Sequence, residues 1–222
     1  MTHGDTAPGE PSLADARTDV APVDSARIEA AVLELLAAIG EDPAREGLAE
    51  TPKRVARAYG EFFAGVGVDA VARLGEPMDA EAASGDLVML SGIEFRSMCE
   101  HHLLPFFGSA TIAYVPCEKL IGLGRLPLLV DTIASRPQLQ ERLTDDIADA
   151  LATAIAPAGV LVHIEASHQC VSARGPRQTG TTTVTMSARG SLRDAAARAE
   201  VIALIGAAER GTPGRDAAAV HS

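Results

Sequence analysis

The feature that most limits what this chain can fold into is the pairing of its strand-like stretches. Leu87–Phe95 and Ser109–Val115 carry β-type patterns, and so do Val160–Ser167 and Thr181–Ser187. Helical periodicity lies before, between and after these two pairs. The helix from Gln138 is the clearest, because Leu139, Leu143, Ile147, Leu151 and Ile155 step four residues at a time and so share one face. Leu126–Ala134 reads as a shorter helix before it, and Arg193–Ala208 as a closing one. Upstream, Asp24 or Ser25 can cap a helix through Ile28, Val32, Leu35, Leu36 and Ile39, and Thr51-Pro52 opens a second one towards Phe63. Strands in adjacent pairs with helices between the pairs predict an α+β fold, an antiparallel four-stranded sheet with helices on one face. Such a sheet leaves edges to hide, and self-association is one way of hiding them.

Hydrophobic residues make up 47% of the 222, enough for a sizeable core. Residues 1–22 hold Pro8, Pro11 and Pro22 among acids and are expected to be disordered, with a helical region over 23–86 and a loose tail over 209–222. The net charge of −11 and an aromatic content of 3% provide neither the basic footprint nor the stacking rings that nucleic-acid binding requires. The longest apolar candidate, Ala30–Gly40, is too short for a membrane span and contains Glu34. An acidic, proline-bearing start does not resemble a signal peptide, and three cysteines cannot all pair within one chain, so a reducing cytoplasm is the expected location.

Chemistry-bearing side chains gather in two clusters, Cys99, His101 and His102, then His168 and Cys170. The Cys99-x-x-His102 spacing lets a thiolate and an imidazole reach one metal from a single turn, and Cys170 can add a second thiolate from another strand end. Two thiolates and one imidazole suit Zn²⁺ and leave its fourth position open, as a catalytic site requires. Taken alone, a C-x-x-H is more often structural or accidental. Here His101 and His168 remain over as non-ligand imidazoles suited to proton transfer. His163, inside an apolar strand, reads as a core or interface residue, Cys117 as an ordinary small one, and His3 and His221 as tail residues.

A second constellation is Arg136-Pro137-Gln138-Leu139-Gln140-Glu141-Arg142-Leu143. A glutamate near a helix N-terminus commonly just offsets the dipole, but it can also accept two hydrogen bonds from guanine. Between Lys119 and Arg198 stand nine Lys and Arg against seven acids, a local surplus of two inside a strongly acidic chain. Guanidinium forks of this kind suit a bound phosphate.

Taken together these stretches resemble GTP cyclohydrolase I. Ser97-Met98-Cys99-Glu100-His101-His102-Leu103-Leu104-Pro105-Phe106, with Gly108 and Ile112-Ala113-Tyr114-Val115-Pro116, is similar to the first signature of that family. The run from Arg136 to Thr144, then His168-Gln169-Cys170 with Arg174-Gly175, resembles its later motifs, and Gly47-Leu48 with Thr51–Val55 its N-terminal helices. The resemblance implies a catalytic tunnelling-fold domain over 87–208 and toroidal pentamers stacked into a homodecamer with active sites between subunits. It implies hydrolysis of GTP to 7,8-dihydroneopterin triphosphate and formate, the first step towards folate or other pterins. Carried over by position, Cys99, His102 and Cys170 would hold zinc, which activates a water for attack on carbon 8 of the purine. His101 would assist at nitrogen 7, and His168 would shuttle protons as the ring opens and recloses. Glu141, helped by Gln140, would anchor guanine. Arg174, with Arg54 from a neighbouring subunit, would take the triphosphate.

The departures from the family pattern concentrate on the phosphate side. After Ile121-Gly122-Leu123 the family typically shows Ser-Lys, two residues and Arg, whereas here stand Gly124-Arg125, Leu126-Pro127 and Leu128. Val171 replaces the usual Met after Cys170, and Pro176 follows Arg174-Gly175. Each lost charge-assisted hydrogen bond is worth about 1.5–3 kcal/mol, so weaker triphosphate binding is expected unless Arg125, Arg177 or another arginine compensates. Two other readings keep the fold. One is a zinc enzyme for a less phosphorylated purine nucleotide. The other is a non-catalytic relative that binds zinc or nucleotide, against which the retained His101 and His168 argue.

Overall fold

The computed structural model describes residues 23–80 and 85–211, so the expected disordered segment over 1–22 lies outside the described residues. Two helices come first, α1 (Ser25–Ala38) and α2 (Thr51–Phe62). Asp24 caps α1 by accepting from the Arg27 amide at 3.0 Å, whereas α2 has no side-chain cap and begins with Pro52 in its first turn. A one-turn helix α3 (Ala70–Arg73) and a two-residue strand β1 (Met78–Asp79) follow, β1 pairing with β4 (Lys119–Leu120).

The main sheet holds β2 (Val88–Cys99), β3 (Pro105–Val115), β5 (Pro137–Gln138), β6 (Gly159–His168) and β7 (Thr183–Gly190), in the order β5-β2-β3-β6-β7. The four long strands pair antiparallel as expected, and the sheet gains β5, which runs parallel to β2 with Cys99 opposite Gln138. Two of the strands run furthest past their apolar patterns, β2 to Cys99 and β3 from Pro105. β2 continues past Phe95 because the buried Ser97 hydroxyl donates to the Ala134 carbonyl at 2.6 Å, so a polar residue is satisfied on the core face. β3 begins before Ser109 because Gly108 sits where no side chain fits: a Cβ there would lie 2.1 Å from the Glu165 carbonyl oxygen.

Helices α4 (Arg125–Ala134) and α5 (Gln140–Ile155) cover one face of the sheet. Leu143, Ile147 and Leu151 of α5 are fully buried against Ile112, Tyr114, Val160 and Val162. The expectation that helices occupy a single face is corrected by α7 (Ala195–Gly211), which follows a short 3₁₀ turn at Ser191–Arg193. Val201 and Ile205 of α7, with Leu192, pack on Ala113 and Leu161. Strand side chains alternate, so Ala113 and Leu161 point opposite to their neighbours Ile112 and Val162 and need an apolar cover of their own. Residues 209–211 form the last turn of α7, and the rest of the expected tail lies outside the described residues. No helix among the described residues is long and apolar enough to cross a membrane.

Candidate metal and substrate site

The metal, proton-transfer and guanine candidates meet at one end of the sheet, where β2 ends, β3 begins, β6 ends and α5 starts. The link between β2 and β3 is the short turn Glu100–Leu104. Its frame is made of main chain: the Cys99 amide donates to the Leu104 carbonyl and the Leu103 amide to the Cys99 carbonyl, both at 2.9 Å. Leu103 takes the left-handed conformation, φ 48°, to close it. The turn leaves Cys99 buried while His101 and His102 stand exposed, their rings edge-on with centroids 6.2 Å apart. Cys170 comes from across the sheet, in the single-turn helix α6 (Gln169–Ser172) that follows β6.

The sulfurs of Cys99 and Cys170 and a ring nitrogen of His102 lie within 4.8 Å of one another, and Cys99 Sγ is 3.9 Å from His102 Nδ1. Tetrahedral zinc would hold such a sulfur–nitrogen pair about 3.6 Å apart, a few tenths of an ångström closer than found here. Donor chemistry and spacing both fit a zinc ion with an open fourth position. Burial pushes the Cys170 thiol above its ordinary range; the adjacent Cys99 sulfur adds to this and Arg174 opposes it. Two sulfurs facing each other resist ionising together, and a cation between them reverses that. Cys117 is exposed and remote from the trio, in keeping with its reading as an ordinary residue.

Cys99, His101, Gln140, Glu141, His168 and Cys170 share the wall of a 360 Å³ cavity. His168, the last residue of β6, lies opposite Phe106, and their rings stack at 4.6 Å and 9°. Burial holds its imidazole below the usual histidine range, with the Glu141 carboxylate acting in the other direction. Glu141 is exposed at the cavity wall in the first turn of α5. The Gln140 side chain, by contrast, is buried and bonded to protein groups throughout. The segment leading to both is fixed from behind, since Arg136 donates to the carbonyls of Gly65 at 2.9 Å and Val68 at 2.7 Å.

The phosphate-side candidates are not brought together within the single chain. Arg174 is close enough to act electrostatically on Cys170, whereas the Arg125 guanidinium lies against Gly75, and neither Arg125 nor Arg54 of α2 lines the cavity. His163 is 9% exposed and 3.9 Å from Glu165, in keeping with its reading as a core or interface residue. Sequence reasoning missed Gln138, Leu139 and Thr183 on the cavity wall, and it missed the ion pair of Glu100 with Arg142, 2.6 Å, which ties the Glu100–Leu104 turn to α5. Alternating charges at Glu100 and Arg142 gave no signal, because only the sheet register brings them together.

Comparison with known proteins agrees with this geometry. The family model described as GTP cyclohydrolase I matches residues 28–206. A GTP cyclohydrolase 1 from Leifsonia xyli is 61% identical over 82% of this chain and 96% of its own length. The GTP cyclohydrolase 1 of Streptomyces griseus is 48% identical over 88% and 98%, and that of Geobacillus kaustophilus 50% identical over 82% and 97%. A match over most of the chain, with the motif residues converging on one cavity, places this protein in the GTP cyclohydrolase I family.

Proposed function

We propose that this chain hydrolyses GTP to 7,8-dihydroneopterin triphosphate and formate, with Cys99, His102 and Cys170 as zinc ligands. The observation that carries the reading is that Cys99 and Cys170, with His102 within 4.8 Å of both, share one cavity with His101, His168 and Glu141, since a mere zinc scaffold needs neither spare imidazole nor a carboxylate there. Bound zinc supplies a Lewis acid that makes water nucleophilic near neutral pH. Carbon 8 of guanine is a poor electrophile until nitrogen 7 gains a proton, and His101, exposed beside the ligand turn, delivers it. His168 moves the later protons as the imidazole ring opens, formate departs and the pterin closes. Glu141 accepts from the guanine ring N–H and amine, which excludes purines lacking the amine because the carboxylate would be left unpaired. With its side chain already engaged, Gln140 leaves that contact to Glu141.

Arg174 is the triphosphate contact within the chain, and Arg54 serves the site of a neighbouring subunit in a toroidal homo-oligomer, with the homodecamer as the expected form. Gly124 and Leu128, where a hydroxyl and an arginine are usual, weaken the triphosphate contact without touching the metal or guanine parts. The decisive assay incubates zinc-replete protein with GTP, GDP and guanosine and follows formate and pterin fluorescence. Product from GTP is expected. Product chiefly from a less phosphorylated substrate, or none at millimolar GTP, overturns the reading.

A further inference from the structure

Gln140 is 2% exposed, and its amide has a complete set of partners. The amide nitrogen lies 3.2 Å from the Ile164 carbonyl oxygen, 3.0 Å from that of Thr183 and 3.1 Å from Thr185 Oγ1. The amide oxygen is 2.7 Å from His168 Nε2. Proton counting fixes which end of the amide faces which partner. The Thr144 hydroxyl gives its proton to the Gln140 main-chain carbonyl at 2.7 Å, so the 2.6 Å contact between the Thr144 and Thr185 hydroxyls must be donated by Thr185. Thr185 Oγ1 is then an acceptor towards Gln140, and the two carbonyls can be nothing else. Three acceptors around one end of the amide require the NH₂ there, so the end facing His168 is the carbonyl oxygen. A carbonyl only accepts, so Nε2 of His168 carries the hydrogen.

We propose that Gln140 is a positioning residue that locks His168 in its Nε2–H tautomer and leaves Nδ1 as the nitrogen through which the ring exchanges protons with substrate. In this arrangement Phe106 fixes the plane of the ring by stacking, and Gln140 fixes its rotation within that plane. The Thr144–Thr185 pair holds the amide from turning over. The consequence for turnover rests on the proposed role of His168; the tautomer itself does not.

The test is ¹⁵N spectroscopy of the histidine rings in the full-length, zinc-loaded protein, with the His168 signals identified by their loss in His168→Asn. The native protein should show a protonated Nε2 and a bare Nδ1 at His168, and folded Gln140→Leu should show both tautomers. A native Nδ1–H tautomer, or an unchanged tautomer in folded Gln140→Leu, overturns the proposal; the native measurement decides even if that variant does not fold. In parallel, Gln140→Leu should lower kcat about 10–100-fold with little change in KM. Full turnover in His168→Asn would remove the proton-carrying role of His168 while leaving the tautomer result to stand or fall by itself.

Discussion

The two histidine-bearing walls of the cavity are built in opposite ways. On one, His101 and His102 project from a turn whose shape is held by two main-chain hydrogen bonds, and both rings are exposed. On the other, His168 is half-buried, stacked on Phe106 and bonded to a glutamine that is itself held from three sides. The contrast teaches that the first wall keeps its shape through main chain, whereas side chains on the second act as a connected set, whose single deletions do not add.

The largest effect that would break this contrast is loss of the metal. Cys170→Ala should abolish both zinc stoichiometry and turnover, measured by elemental analysis and formate release, because it removes one of the three proposed ligands. Next comes His101→Ala, which should keep a full complement of zinc and the native circular dichroism while kcat falls about 10²–10⁴-fold. Lost metal in that variant would mean the two adjacent histidines have exchanged roles. On the phosphate side, Leu128→Arg should lower the KM for GTP about tenfold, the value of one charge-assisted hydrogen bond, with kcat unchanged. An unaltered KM would separate this position from the phosphates.

The Glu100–Arg142 ion pair joins the two walls but its arginine is 51% exposed, so Arg142→Met should change kcat less than about fivefold, as exposed pairs contribute about 0–1 kcal/mol. A larger loss would show that the walls are coupled through it. The smallest effect concerns β7, the strand that supplies Thr185. Asp145 of α5 accepts from Ser187 at 2.6 Å and from Arg189 at 3.1 Å. The Ser187 hydroxyl first, and then Arg189, hold its carboxyl below the usual range against the effect of burial. A depressed carboxylate stabilises the fold above its unfolded pKa and ceases to do so as pH falls through the folded value. Denaturant titration should therefore find native protein about 0.5–1 kcal/mol more stable than Asp145→Ala at neutral pH. The gap should close below about pH 4.

Much of this was legible in the chain itself, for physical reasons that differ by element. The four-residue step of Leu143, Ile147 and Leu151 predicted α5 because a helix buried along one stripe must repeat that way. The Cys99-x-x-His102 spacing predicted a shared metal turn because both donors are local to it. What escaped was set at long range. β5 is two residues long and pairs parallel to β2 through a register no local pattern encodes. The second face of the sheet went unread because Ala113 and Leu161 look like ordinary members of apolar runs, and only α7 reveals which way they point. The protein groups that engage the Gln140 amide, Ile164, Thr183 and Thr185, lie 24 to 45 residues downstream and left no local signal.

Main-chain hydrogen bonds frame the turn Glu100–Leu104. A loop whose outline is fixed by peptide groups, with Leu103 strained into its left-handed bend, is indifferent to what its tips display. Exchanging either imidazole therefore leaves the hydrogen bonds that shape the loop in place. The two rings ride on this corner of the backbone and do not build it.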